Sequence, residues 1–166
     1  MKRRSTRFWA AAAVVGGFII DMAYGHTLSV GPLRADIGFV CLMVAGLFVG
    51  AGTGAVLGLV LGILQASYGS VYAGSVMVSR TTAGWGVGVL EEHLFRDNAY
   101  VAVGLTFAGT LFCELTFFAC APQSDIRAFA TDAFWTACGN GLLALPVYLA
   151  LRRPMARNTD EVDYSR

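Results

Sequence analysis

Glycine recurs at every fourth position from Gly46 to Gly62, at Gly46, Gly50, Gly54, Gly58 and Gly62, inside an apolar run that extends from Ala35 to Tyr68. A spacing of four aligns these positions on nearly one face of a helix. In water each glycine inside a helix costs about 0.5–1 kcal/mol, so the pattern would be a poor one for a soluble helix. In lipid it is useful, because a face without side chains lets helix backbones approach closely while every backbone bond stays satisfied internally. The ladder is open to two readings: plain helix packing within the chain, or a face that in part receives the helix of a partner protein.

As one helix, the run from Ala35 to Tyr68 would be about 50 Å long at 1.5 Å per residue, against a bilayer core of about 30 Å. It should therefore fold back near Gly50–Gly54, splitting the ladder between two short, antiparallel, tightly packed helices. Composition supports a lipid solvent. The 166 residues are 56% hydrophobic and 14% charged, where soluble domains carry about 25% charged residues. The net charge of +1 says little about partners, but its distribution does. Lys2, Arg3, Arg4 and Arg7 precede the first apolar stretch, and Arg152, Arg153 and Arg157 come after the last. By the positive-inside rule both ends belong on the cytoplasmic side, which requires an even number of spans.

The chain divides into a basic leader (residues 1–7), a transmembrane domain (residues 8–151) and a polar tail (residues 152–166). The tail past Pro154 has a disordered composition. Six spans are expected, at Phe8–Tyr24, Ala35–Gly50, Gly54–Tyr68, Val76–Leu90, Ala99–Ala121 and Ala128–Leu151. The leader and first span resemble a signal peptide, but Asp21 near the end of the apolar region and the later spans argue for a retained helix. The connections are His26–Arg34 with its Gly31–Pro32 turn, Gly69–Ser75, the charged loop Glu91–Asn98 and Pro122–Arg127. The first, second and fourth of these alternate in side with the cytoplasmic third according to the span count.

Charges within spans carry the most information. Arg80, Glu114 and Asp132 each lie inside an apolar stretch, where an unpaired charge costs at least about 2.5–3.5 kcal/mol. Depth along the spans suggests an Arg80–Asp132 pair first and Arg80–Glu114 second. Such a pair can lock the bundle, mark a partner-binding polar spot or belong to an ion path. A proton relay would show more ionisable groups along one route. Asn140 and Gln65 fit as interhelical hydrogen-bonding groups, and Pro146 should kink the sixth span. Cys41, Cys113, Cys120 and Cys138 lie in apolar stretches without ligand spacing and read as small packing residues. His26 and His93 fall on loops on opposite sides. No nucleophile–base pair, phosphate loop or basic–aromatic patch is present, so no catalytic residue, metal, cofactor or nucleic-acid partner is expected.

The stretch GAVLGLVLGILQASYGSVYAGSVMVSRTTAGWGVGVL (Gly54–Leu90) resembles the central motif of the MreD family of bacterial rod-shape-determining membrane proteins. Gly58, Gly62, Leu64 and Gln65 match its glycine-rich helix, and Gly69, Gly74, Ser79, Arg80 and Gly84 match the turn and the stretch after it. CGNGLLALPVYLALRR (Cys138–Arg153) is similar to the last helix of that family through Asn140, Pro146 and Arg152–Arg153. Two positions depart from the pattern: Ala66 replaces a frequent acidic residue, and Trp85 a more usual tyrosine. The resemblance implies a non-enzymatic scaffold of the cell-wall elongation machinery in the cytoplasmic membrane. It would bind the single-span protein MreC and work alongside MreB, RodA and a class B penicillin-binding protein. It also implies an all-α six-transmembrane-helix bundle similar to the substrate-binding subunits of energy-coupling-factor transporters. From that similarity comes the alternative function, a subunit binding a vitamin-like small molecule. Fold does not decide between the two, and self-association as a homodimer stays open.

Overall fold

The computed structural model describes residues 2–28, 35–68, 71–90 and 98–156, and all regular structure among them is α-helix. The helices are α1 (Lys2–Leu28), α2 (Ile37–Val49), α3 (Ala51–Ser67), α4 (Ala73–Leu90), α5 (Ala99–Cys120) and α6 (Ile126–Ala156). The basic leader is thus the first part of α1 rather than a separate segment, and His26 belongs to that helix rather than to a loop. At the other end, α6 runs through Pro146 and Pro154 to Ala156, five residues beyond the expected end of the sixth span. The greater parts of the Gly31–Pro32 turn and of the Glu91–Asn98 loop, with His93, lie outside the described residues.

Among the described residues, three helices contain stretches long and apolar enough to cross a membrane: Thr6–Tyr24, Ala99–Cys120 and Ile126–Met155. At 13 and 17 residues, α2 and α3 are shorter apolar helices. Large apolar side chains such as Ile19, Val56, Leu115 and Leu142 project outward, as expected where the surrounding solvent is lipid.

The short α2 is apolar on every side, and each residue from Gly38 to Leu47 is buried, the pattern of a helix enclosed by protein. It touches all five other helices, while α3, α4, α5, α6 and α1 close a ring around it. Its core contacts come from Phe39, Val40, Leu42, Met43, Val44 and Leu47, all at most 2% exposed. Tyr148 of α6 is fully buried and stacks on Phe48 with ring centroids 6.4 Å apart. Gly17 of α1 sits directly on the start of α2, where an added Cβ would come within 2.9 Å of the Cys41 sulfur.

The chain reverses between α2 and α3 at a single residue. Gly50 ends one helix and begins the next with φ 79° and ψ 169°, a region open essentially to glycine alone. The expected fold-back is therefore present. The ladder on either side of it does a different job from the one expected. It does not hold α2 against α3. Both halves face α4. A Cβ at Gly46 would land on the Val87 side chain, one at Gly54 on the Gly84 carbonyl, one at Gly58 on the Arg80 carbonyl, and one at Gly62 would come within 2.7 Å of the Met77 Cα. Across the turn, a Cβ at Gly88 would meet the backbone of Ala51. So α3 and α4 cross antiparallel with their backbones in contact, and they form the most extensively packed helix pair. The chain's own α4 covers this face, which accords with the first of the two readings, helix packing within the chain, and not with a partner helix seated on the ladder.

These contacts set clear expectations for substitutions. Gly58→Ala should destabilise by about 1–3 kcal/mol, the usual cost of overpacking, and Gly50→Ala by a similar amount from backbone strain. Gly52→Ala and Gly86→Ala, whose added Cβ meets nothing within 4 Å, should be neutral or slightly stabilising. Thermal unfolding of the purified variants in detergent checks the contrast; equal effects at all four sites would refute the packing account.

Candidate functional site

The first turn of α2 leaves backbone N–H groups without helical partners, and deep in a bundle water cannot serve them. Asp36 supplies the cap. Its backbone is extended, and its Oδ1 accepts a bond from the Phe39 amide at 2.8 Å. Its carbonyl accepts from Val40 at 2.9 Å. Its second carboxylate oxygen accepts from Gln65 Nε2 of α3 at 2.8 Å and from Arg80 Nη2 of α4 at 3.1 Å. Its backbone N–H donates to Asn140 Oδ1 of α6 at 2.8 Å. One residue thus joins the start of the central helix to three of the surrounding ones.

Arg80 completes the hub. Its Nε donates to Gln65 Oε1 at 2.8 Å and its Nη1 to the Cys113 sulfur of α5 at 2.8 Å. The guanidinium lies 4.8 Å from the centroid of the Phe39 ring, in cation–π range. The Arg80 and Asp36 side chains are each only 16% exposed. Asn140 extends the network by donating to Thr110 Oγ1 at 3.2 Å, and that hydroxyl in turn donates to the Thr106 carbonyl at 2.8 Å. Asp21 of α1 lies within electrostatic reach of Asp36 and Arg80, and Glu114 of α5 within reach of Arg80, Asp36 and Asp132. Every helix contributes to this one end of the bundle, where α2 begins and α3 finishes. Among the described residues, no buried side-chain nitrogen or oxygen lacks a hydrogen-bond partner.

The ion pair differs from both sequence expectations. Arg80 pairs with Asp36, rather than with Asp132 or Glu114. Asp36 stands at the very start of the expected second span. In the bundle its carboxylate, only 16% exposed, turns toward Gln65 and Arg80. Asp132 is on an exposed position of α6. Glu114 stands one residue from Cys113, which is the residue that contacts Arg80. Gln65 and Asn140 do act as interhelical glue, and both bond to Asp36. Sequence reasoning missed Asp36, Phe39, Thr110 and Cys113. The one available signal was the aspartate immediately before an apolar helical run, an N-cap pattern. The thiols also divide: Cys41 and Cys113 are buried, Cys120 is exposed and Cys138 intermediate, and all four are free. Cys120 is therefore not a core packing residue.

Chemically, the arrangement is a neutralised pair in which the Asp36 carboxylate, the Arg80 guanidinium and the Gln65 amide are engaged with one another. Among the described residues, no group of three or more histidine, cysteine or acidic side chains is placed to hold a metal ion. A concavity of about 640 Å³ lies at the opposite end of the bundle, lined by Leu149, Ala150, Arg152 and Arg153.

An all-helical bundle with three long apolar helices and a buried ion pair defines a multi-pass membrane protein. The model of the family described as "5TMR of 5TMR-LYT", a five-transmembrane receptor domain, matches residues 2–129, and the chain belongs to that family. The match runs from α1 into the start of α6 and includes Asp36, Gln65, Arg80 and Cys113, though not Asn140. No curated protein and no solved structure matches the chain.

Removing one partner of a buried pair leaves the other charge uncompensated, which typically costs about 3–5 kcal/mol. Arg80→Ala should be destabilising on that scale, and Asp36→Asn should remove much of the additional loss when combined with it. A double-mutant cycle measured by unfolding in detergent should give strong coupling for Arg80 with Asp36 and little for Arg80 with Asp132. The reverse ranking would overturn the assignment.

Proposed function

We propose that this chain is a non-enzymatic docking body of the bacterial cytoplasmic membrane. In this reading its six helices form six passes, with both termini cytoplasmic. Its place is the cell-wall elongation machinery, where it binds MreC and, through that complex, works with MreB, RodA and a class B penicillin-binding protein. The observation that carries the reading is the filled centre of the bundle. The enclosed α2 occupies the axis, and the polar groups at its end bond to each other. That is the build of a rigid body which presents outer surfaces to other proteins. The identity of those proteins comes from the sequence resemblance of Gly54–Leu90 and Cys138–Arg153 to the MreD family.

The vitamin-binding alternative fits less well. Of Arg80, Gln65 and Asp132, the residues that could line such a pocket, Gln65 and Arg80 are committed to Asp36 and to one another. Because α4 covers the glycine ladder, a partner helix would use the outward faces of the ring. The family match favours a second reading, a membrane receptor domain. On that reading a ligand with its own carboxylate or guanidinium would compete for Asp36 or Arg80 and loosen a contact shared by four helices.

Affinity purification of the tagged chain from membranes, with identification of what accompanies it, tests the proposal. MreC should co-purify, and fluorescent fusions at either terminus should glow in the cytoplasm. Absence of MreC together with a thermal shift caused by a small solute would favour the receptor instead. Termini on opposite sides would refute the six-pass topology.

A further inference from the structure

The ring around α2 does not offer lipid the same height on every side. In it α3 and α4 are neighbours on one side, and α5 and α6 on the other. The apolar stretch of α1, Thr6–Tyr24, closes the ring between them. Helix α3 has 17 residues, a length of about 26 Å. The apolar part of α4, Val76–Leu90, is about 22 Å long. Against these, α5 has 22 residues, about 33 Å. The outward apolar side chains of α6 run from Ile126 to Leu149, about 35 Å. The short side is still a lipid-facing one, because Val56, Leu59, Ile63, Val78, Trp85 and Leu90 are all exposed on it. Its limits are marked as well. Tyr68 and Tyr72 are exposed between α3 and α4, and tyrosine is a residue that collects at a membrane interface. At the other limit, Glu91 and Glu92 follow Leu90 in the sequence.

We propose that the α3–α4 side is a membrane-thinning surface, which holds lipids with shorter acyl chains than those along α5 and α6. A bilayer core is about 30 Å thick, so α3 and the apolar part of α4 fall short by about 4–8 Å, whereas α5 and α6 do not. A helix longer than the core can tilt. A shorter one gains no height by tilting, and the bilayer thins around it. Sliding is closed to this side by its packing. Cβ atoms added at Gly54 and Gly84 would each meet the other helix's backbone, and Gln65 and Arg80 tie both helices to Asp36. Adjustment therefore falls to the lipid. A shorter chain covers the apolar height without drawing the polar ends of the two helices into hydrocarbon. The inference needs only a membrane-embedded bundle and is independent of the docking role proposed above.

Tryptophans report on the separate sides. Trp85 is 54% exposed on α4, Trp135 36% on α6 and Trp9 48% on α1. The full chain is reconstituted as W9F/W135F, which keeps Trp85, and as W9F/W85F, which keeps Trp135. Each is placed in phosphatidylcholine with brominated oleoyl chains, whose bromines quench tryptophan on contact. Unbrominated dimyristoleoyl, dioleoyl or dierucoyl phosphatidylcholine is then mixed in, and the relief of quenching ranks these short, medium and long chains. At Trp85 the short-chain lipid should displace the brominated one better than the long-chain lipid, by about twofold or more. At Trp135 it should hold no such advantage. S67L/G74L adds apolar height to the short side at two exposed positions, with open space around Gly74, and should shift the order at Trp85 toward the medium chain. The same order at both tryptophans would overturn the proposal. So would a Trp85 that no lipid quenches, because a second copy of the chain would then cover this side. If S67L/G74L does not purify, the contrast between the two tryptophans decides the matter.

Discussion

A guanidinium inside a lipid-embedded bundle has to be neutralised within hydrogen-bonding distance, and here the Asp36 carboxylate does it at 3.1 Å. The same carboxylate caps the central helix and accepts from Gln65. These three tasks are interdependent. Moving α4 away would leave Arg80 unpaired and Asp36 with an uncompensated charge. Losing the cap would expose α2 amides where no water can serve them. The stability of several helix contacts is thus concentrated in one carboxylate, and the rest of the bundle is arranged so that α3 and α4 can reach it.

The glycine crossing is what permits that reach. Without side chains at Gly54, Gly58 and Gly84, the backbones of α3 and α4 touch, which brings Gln65 and Arg80 close enough for a 2.8 Å bond. Gly58 is the clearest link, because the atom an added Cβ would strike is the carbonyl of Arg80 itself. Packing and electrostatics therefore share residues. In lipid, where burying apolar surface does not drive helices together, close van der Waals contact and interhelical hydrogen bonds must supply the association.

A centre filled by a short helix bears on function. Ligand sites are concave and need polar groups free to turn toward a solute. At the hub those groups face one another, which suits a body that works through its outer surface. On the receptor reading proposed above, the hub is where a competing solute would act, since four helices meet at Asp36 and its direct partners.

Much of the fold could be read along the chain. The apolar runs gave six helices, and the length of Ala35–Tyr68 against the bilayer required a reversal, which falls at Gly50. Gln65 and Asn140 could be recognised as interhelical bonding groups because amides in apolar helices seldom have another use. The salt-bridge partner could not be recognised. Linear depth counting compares charges well inside the spans, and Asp36 stands at the start of one. The helix that covers the ladder was equally hidden, because glycines every four residues specify a smooth face and not its neighbour. The sequence alone determined a lipid-soluble helical chain with one surface stripped of side chains and one cation in need of a counterion. Only the tertiary structure decided that α4 fills that surface and Asp36 neutralises that cation, because both choices depend on α2 being enclosed by the other five helices, a relation between distant segments that no local pattern encodes.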